Sequence, residues 1–250
     1  MPTDSKPKYV TLANNTAIAI RGIGLAGATS KGTRMRLSPD LHADLRLMPI
    51  DNAALAAQQP IVDLLITDIQ PLAARFPIVV SPLPNTRLQA LVTPSDTVNR
   101  FADHTPAVWR HYPLMLASMM GDATSDTAPD GMPALVVDTD APHFQLGKGF
   151  RLFENGEPTP FLRQRITALQ ACAEDEARTR ELIQLMHQAG ILEPAEVDHQ
   201  GKRIDCCLVN DKALGANLDR IGRDKMGQIV SLVLAIADSQ QDLNVQRWTA

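Results

Sequence analysis

"TPFLRQRITALQACAEDEARTRELIQLMHQAG", residues 159–190, decides how the rest of the chain is organised. Thr159 suits an N-cap because its hydroxyl accepts an orphan backbone N–H, and Pro160 suits the first helical position, where no N–H is needed. Gly190 fits the residue just past the helix end, where a left-handed turn is required. Between them Phe161, Leu162, Ile166, Leu169, Cys172, Ala173, Leu182, Leu185 and Met186 recur at helical spacing, with charge on the other face. The spacing predicts a helix near 160–189, about 45 Å long unless it breaks at Glu174-Asp175-Glu176. A helix of that length is the expected spine of the fold.

Upstream, Phe150-Arg151-Leu152-Phe153 leads into a turn at Glu154-Asn155-Gly156. Downstream, Ile191-Leu192-Glu193-Pro194 is expected to pack back and end. A hairpin follows around Gln200-Gly201, with Arg203–Val209 as its second strand. Helices are predicted near Asp211–Leu218 and Asp224–Ala237, then a tail Asn244–Trp248 with one large anchor. Strands are predicted at Tyr9–Leu12, Ala17–Arg21, Pro60–Thr67, Leu88–Val92 and Ala134–Asp138. Ser38-Pro39-Asp40 opens a short helix or turn, and alanine-rich Asp51–Gln59 is helical. Asn99–Thr105 and Gly121–Pro133 read as loops.

Two segments echo each other. Leu72-Ala73-Ala74-Arg75-Phe76-Pro77-Ile78-Val79-Val80 and Ala107-Val108-Trp109-Arg110-His111-Tyr112-Pro113-Leu114-Met115-Leu116 both give a helical turn, an arginine, an aromatic-proline step and an apolar run. Proline disfavours helical geometry in the residue before it, so Phe76 and Tyr112 are pushed toward extended backbone and two helix-to-strand junctions are predicted. Strands early and helices late imply an α+β fold, a mostly antiparallel sheet with helices packed on one side. Residues 1–37 read as an N-terminal arm and 38–250 as a single α+β domain.

Composition narrows the function classes. The 250 residues are 44% hydrophobic and 21% charged with a formal net charge of −4, which is the profile of an ordinary globular protein with ample core. Lys and Arg are scattered, so no basic patch marks a nucleic-acid partner. The longest apolar run, Ile229–Ala237, falls short of the roughly 20 residues a spanning helix needs, so no membrane insertion is expected. The start MPTDSKPKYV carries no secretory signal pattern, and Cys172, Cys206 and Cys207 cannot all pair, which together suggest a reduced, cytoplasmic compartment.

Several motifs invite chemistry. Gly22-Ile23-Gly24-Leu25-Ala26-Gly27 has dinucleotide-fingerprint spacing, but Ala28-Thr29-Ser30-Lys31-Gly32-Thr33 does not start the helix whose N-terminus would face a pyrophosphate. The bland reading, a flexible or edge-forming segment, is preferred, and no cofactor is expected. His42-Ala43-Asp44 has the His-x-carboxylate spacing of a facial-triad iron site. With His143 as third ligand and Arg151 as co-substrate anchor it would make an iron- and 2-oxoglutarate-dependent oxygenase, the alternative reading. A helix cap or an arginine pair explains His42 and Asp44 more simply. Ser81, Ser118 and Ser231 lack the setting of a nucleophile elbow, and Cys206-Cys207 lack a second ligand pair and read as core thiols. Trp109, Arg110, His111 and Tyr112 place four recognition-prone side chains in a row, and Arg75 recurs in the echo. They are the candidate binding residues, weighed against inward packing of Trp109 and Tyr112 with Arg110 and His111 outward. No catalytic residue and no metal ligand is assigned in the preferred reading.

Taken together, His42-Ala43-Asp44-Leu45-Arg46-Leu47, Arg75–Val80, Arg110–Leu114, Leu152-Phe153-Glu154-Asn155-Gly156-Glu157-Pro158-Thr159-Pro160, Arg178–Ile183 and Gly190–Pro194 make a chain that resembles the SapC family, in order from about residue 38 onward. Residues 88–103, LQALVTPSDTVNRFAD, depart from the family's Gly-rich "GENLF"-like stretch. Asn244 also precedes Trp248 by four positions, farther than the family places it. The resemblance implies a non-catalytic accessory protein linked to TonB-dependent uptake. It would engage a protein or peptide partner, such as a flavin-dependent halogenase or a cupin-like oxygenase, and a homodimer is left open. The family supplies no catalytic residues to carry over.

Overall fold

The structure, a computed structural model, describes residues 8–11, 17–20, 34–84, 86–93, 100–117, 134–144, 148–217, 226–243 and 245–247. The Gly22–Gly27 segment, Ser118, the Gly121–Pro133 loop and the Trp248 anchor lie outside the described residues. In chain order come β1 (Lys8–Thr11), β2 (Ala17–Ile20), β3 (Arg34–Arg36), α1 (Pro39–His42), β4 (Arg46–Leu47) and α2 (Asn52–Ala56). Next are β5 (Ile61–Leu64), a 3-10 turn at Ile66–Asp68, α3 (Ile69–Ala73), β6 (Ile78–Val80) and β7 (Leu88–Leu91). Then follow α4 (Ala107–Arg110), β8 (Leu114–Leu116), β9 (Leu135–Asp138), β10 (Phe150–Arg151), β11 (Phe153–Glu154) and β12 (Glu157–Pro158). The order continues with α5 (Pro160–Gln188), β13 (Leu192–His199), β14 (Lys202–Val209), α6 (Asp211–Asn217), α7 (Met226–Ser239) and β15 (Val245–Arg247). Among the described residues every strand pairing is antiparallel, as the α+β reading expects, though the strands divide among several sheets.

The chain forms two compact units, Met1–Leu55 with Trp109–Ala173 and Ala56–Val108 with Glu174–Ala250. In the first, β3, β9 and β8 form one sheet in which Met35 faces Val137 and Val137 faces Leu114. Its core gathers Leu47, Leu114, Leu116, Val137, Leu152, Phe153, Leu162 and Leu169. Each such side chain, fully withdrawn from water, contributes roughly 1.5–3 kcal/mol. The N-cap on α5 is made as expected: Thr159 Oγ1 accepts from Leu162 N at 3.3 Å. Asn155 and Gly156 take the left-handed backbone of a tight turn between β11 and β12. At Gly149, φ +100°, a Cβ would lie 2.5 Å from the Leu47 carbonyl oxygen, so only glycine lets β10 lie this close to β4.

The second unit carries a six-stranded sheet in the order β15-β13-β14-β6-β7-β5. α7 packs on α3, β6 and β14, and its Leu232, Val233, Ile236 and Ala237 are buried at helical spacing. Just past α7, buried Gln240 donates to Ile78 O at 2.7 Å and accepts from Val209 N at 3.0 Å. The second half of α5 buries Thr179, Leu182, Ile183 and Met186, and α5 is unbroken through Glu174-Asp175-Glu176. Thr179 Oγ1 donates to Asp175 O and accepts from Ile66 N, so its hydroxyl is satisfied.

Three expectations needed correction. Glu193-Pro194 does not end an element, because β13 runs through it. Pro194 is exposed and sits opposite Cys207 of β14, and a strand tolerates proline where the ladder does not need its missing N–H. The expected tail Asn244–Trp248 contains strand β15. The division into early strands and late helices also fails, since the late hairpin β13–β14 lies within the sheet beside early β6. Among the described residues, no helix is long and apolar enough to cross a membrane.

Candidate functional site

In the first unit, the chain leaves α4, buries Tyr112, and enters β8 through Pro113, as the proline step predicts. Of the four consecutive candidates, Trp109 and Tyr112 are buried with ring centroids 5.1 Å apart, whereas Arg110 is exposed and His111 half-buried. The inward-packing arrangement is therefore the one adopted. Trp109 and Tyr112 shape the corner, Arg110 faces outward, and His111 sits half-buried at its rim.

A polar network surrounds Tyr112. Its hydroxyl donates to Asp138 Oδ2 at 2.9 Å, and Asp138 Oδ1 accepts from Asp140 N. The Asn52 amide donates to Tyr112 O at 2.9 Å, which leaves Asn52 Oδ1 to accept from His143 Nε2 at 2.8 Å. His143 is thereby fixed with its proton on Nε2, and its ring meets Tyr112 edge-on at 5.4 Å. Burial, with Arg165 adding, pushes the His143 pKa down to about 3. Burial and the Asp138 carboxylate push the Tyr112 phenol up. Trp109 Nε1 and His143 Nδ1 are buried with no hydrogen-bond partner among the described residues.

Arg165, on the first half of α5, completes the corner. Its Nη1 donates to Arg110 O at 3.1 Å and to His111 Nδ1 at 3.2 Å, and its guanidinium lies 5.4 Å from the Phe161 ring centroid. Phe161 stacks on Phe150 at 4.6 Å. Burial first, then Arg165 and Arg110, hold the His111 pKa down to about 4, so the ring is a neutral acceptor near pH 7. Burial lowers the pKa of Arg165 itself. The sequence reading missed Arg165, Asn52, Asp138 and Phe150 as parts of the corner. Arg165 carried one usable signal: it stands four residues after Phe161, which puts both on one helix face.

The remaining candidates lie elsewhere. Arg75, in the second unit, donates to Asp103 Oδ2 at 2.9 Å and to Arg100 O at 3.1 Å, and Arg100 donates back to Arg75 O. His42 is buried, its Nδ1 bonded within its own short helix to the Ser38 backbone, and Asp44 is exposed. Among the described residues, no three His, Cys, Asp or Glu side chains converge as metal ligands, so His42, Asp44 and His143 are not brought together. Cys206 and Cys207 are buried free thiols. Burial pushes Cys206 up to about 12 and Cys207 upward as well, the setting of inert core thiols. In the second unit, buried Asp68 accepts from Leu65 N, Ala107 N and His104 Nε2, which makes it a structural clasp for two turns.

A protein-family model described as SapC matches residues 37–220 of the chain. No curated protein matches it, and no solved structure does.

Proposed function

The chain belongs to the SapC family, and on that premise we propose that it is a non-catalytic cytoplasmic accessory protein that binds a peptide or a modifying enzyme. One observation carries this reading: burial favours the uncharged forms of His111, His143, Tyr112, Cys206 and Cys207. A general acid or base works best with a pKa near the working pH, and a nucleophilic cysteine needs its thiolate. These groups are displaced from both conditions. What the corner offers outward is recognition chemistry instead, with exposed Arg110 and half-buried His111 as binding residues and buried Trp109 and Tyr112 as their support; Arg75, in the second unit, is the separate binding residue of the echoing motif.

The partners implied by the resemblance are a flavin-dependent halogenase or a cupin-like oxygenase associated with TonB-dependent uptake. Each neighbouring gene product is to be mixed with the purified chain and examined by size-exclusion chromatography. A complex with one of them is expected, weakened about tenfold or more by the paired change Arg110→Glu and His111→Glu, in line with the cost of reversing one charge and adding another at a contact. Turnover by the chain alone, or no complex with any neighbouring product, overturns the reading.

A further inference from the structure

Arg165 is an arginine used at one end only. Nη1 carries both of its hydrogen bonds, to the Arg110 carbonyl and to His111 Nδ1, and both acceptors are neutral. Nε and Nη2 have no hydrogen-bond partner among the described residues, and no acidic side chain there pairs with this guanidinium. Those two N–H groups point the same way along one edge of the planar fork, the edge that receives the two oxygens of a carboxylate. The Phe161 ring and the two Nη1 bonds already hold the fork in place, so a ligand would lose little affinity to ordering it.

The neighbouring surface is aromatic and equally fixed. Phe150 is 53% exposed yet stacked on Phe161 at 4.6 Å and 11°. Its strand lies against β4 because Gly149 has no Cβ to strike the Leu47 carbonyl. A large exposed ring held by a glycine contact on one side and a stack on the other is a platform set in advance. A phosphate would call for several converging donors or cations, whereas one unpaired fork edge beside a partly exposed aromatic stack matches a monoanion carried by a ring.

We infer that the Nε–Nη2 edge of Arg165 binds a carboxylate whose attached aromatic group packs against the flank of the Phe150–Phe161 stack. This rests on the binding-protein reading and names its ligand class. The same chemistry is found in a peptide ending in an aromatic residue and in a free aryl-alkyl acid. The probes are acetyl-Gly-Gly-Phe as the free acid, the same peptide as its C-terminal amide, and 3-phenylpropionate, each titrated calorimetrically into the whole chain. The acid is expected to bind about tenfold or more tightly than the amide, as a charge-assisted bidentate contact warrants. Arg165→Gln should abolish that preference while leaving amide binding alone, and Arg165→Lys should restore only part of it. Phe150→Ala should weaken acid and amide equally. A peptide clearly tighter than 3-phenylpropionate identifies a chain terminus as the ligand, and equal binding identifies a free acid.

Should Arg165→Gln fail to fold, the acid–amide comparison on the unmodified chain and the exposed Phe150→Ala variant still decide. Acid and amide binding alike, or no binding of either at millimolar concentration, overturns the inference. A partner complex that survives in that case leaves the accessory reading standing. Acid binding without any partner complex removes the accessory reading and keeps this site.

Discussion

At Arg75-Phe76-Pro77 the chain leaves α3, buries Phe76 against Phe101 at 4.5 Å and enters β6. At Arg110-His111-Tyr112-Pro113 it leaves α4, buries Tyr112 beside Trp109 at 5.1 Å and enters β8. Both entering strands are buried at all three positions. Around Phe76 the polar groups are matched: Arg75 meets Asp103, and Arg100 lies 4.7 Å over the Phe76 ring. Around Tyr112, Arg165 meets only neutral acceptors among the described residues, and burial favours the uncharged form of two histidines. The aromatic-proline step is thus a folding device that works with either ring. Whether the junction can also bind something depends on whether its cations are already answered by acids.

The largest expected effect tests the folding half of that comparison. Phe76 is 1% exposed, so Phe76→Ala deletes a packed ring and leaves a cavity against Phe101. A loss of about 3–5 kcal/mol is expected in chemical denaturation. A loss below about 1 kcal/mol would mean that the ring is not what seats the strand.

The histidines of the other junction make its stability depend on acid. In the folded chain the His143 pKa is down at about 3 against 6.5 for an unburied ring, because burial and Arg165 disfavour the charged form. The contribution is fully present above pH 6.5 and is lost as pH falls toward 3, since the unfolded chain takes up the proton first. At about 1.4 kcal/mol per pKa unit this amounts to a few kcal/mol. His143→Gln, which cannot titrate, should flatten the slope of stability between pH 6.5 and 4, with His111 leaving a residual slope of the same sign. An unchanged slope sinks the assignment.

Tyr112→Phe converts the second junction's ring into the first's. It removes the donor to buried Asp138 Oδ2 and leaves the ring packing intact. A loss of about 1–3 kcal/mol is expected, the cost of leaving a buried acceptor unpaired. If Tyr112→Phe is neutral, the hydroxyl adds nothing to the fold and the two junctions differ only in their cations.

The parts legible in the sequence were those fixed by local chemistry. Thr159 and Pro160 start α5, φ +68° at Gly190 closes it, and the two prolines turn helix into strand where expected. The Gln200-Gly201 hairpin was equally local. What stayed hidden depends on partners distant in the chain. Pro194 belongs in β13 because the residues on both sides of it pair with β14, and Thr179 looks like a surface residue until Ile66 N is seen donating to it. The corner around Tyr112 was half visible. Trp109 to Tyr112 could be read as a cluster, but Asn52, Asp138 and Arg165 reach it from separate elements with no shared motif.

The smallest effect is the one that most sharpens the contrast. Arg75 and Asp103 form an ion pair 2.9 Å apart, but their side chains are 35% and 80% exposed. Water competes at both groups, and long side chains lose rotamer freedom when they pair, so such pairs contribute about 0–1 kcal/mol. A double-mutant cycle with Arg75→Gln and Asp103→Asn should give a coupling in that range that shrinks as salt shortens the screening length. The same cycle cannot be drawn for Arg165, because no described carboxylate faces it. Arg75 therefore has an acid within the fold to answer its charge, and Arg165 has none among the described residues. A salt-insensitive coupling of several kcal/mol at Arg75 would erase that distinction, since the first junction's cation would then be a buried structural charge and the comparison would no longer turn on exposure.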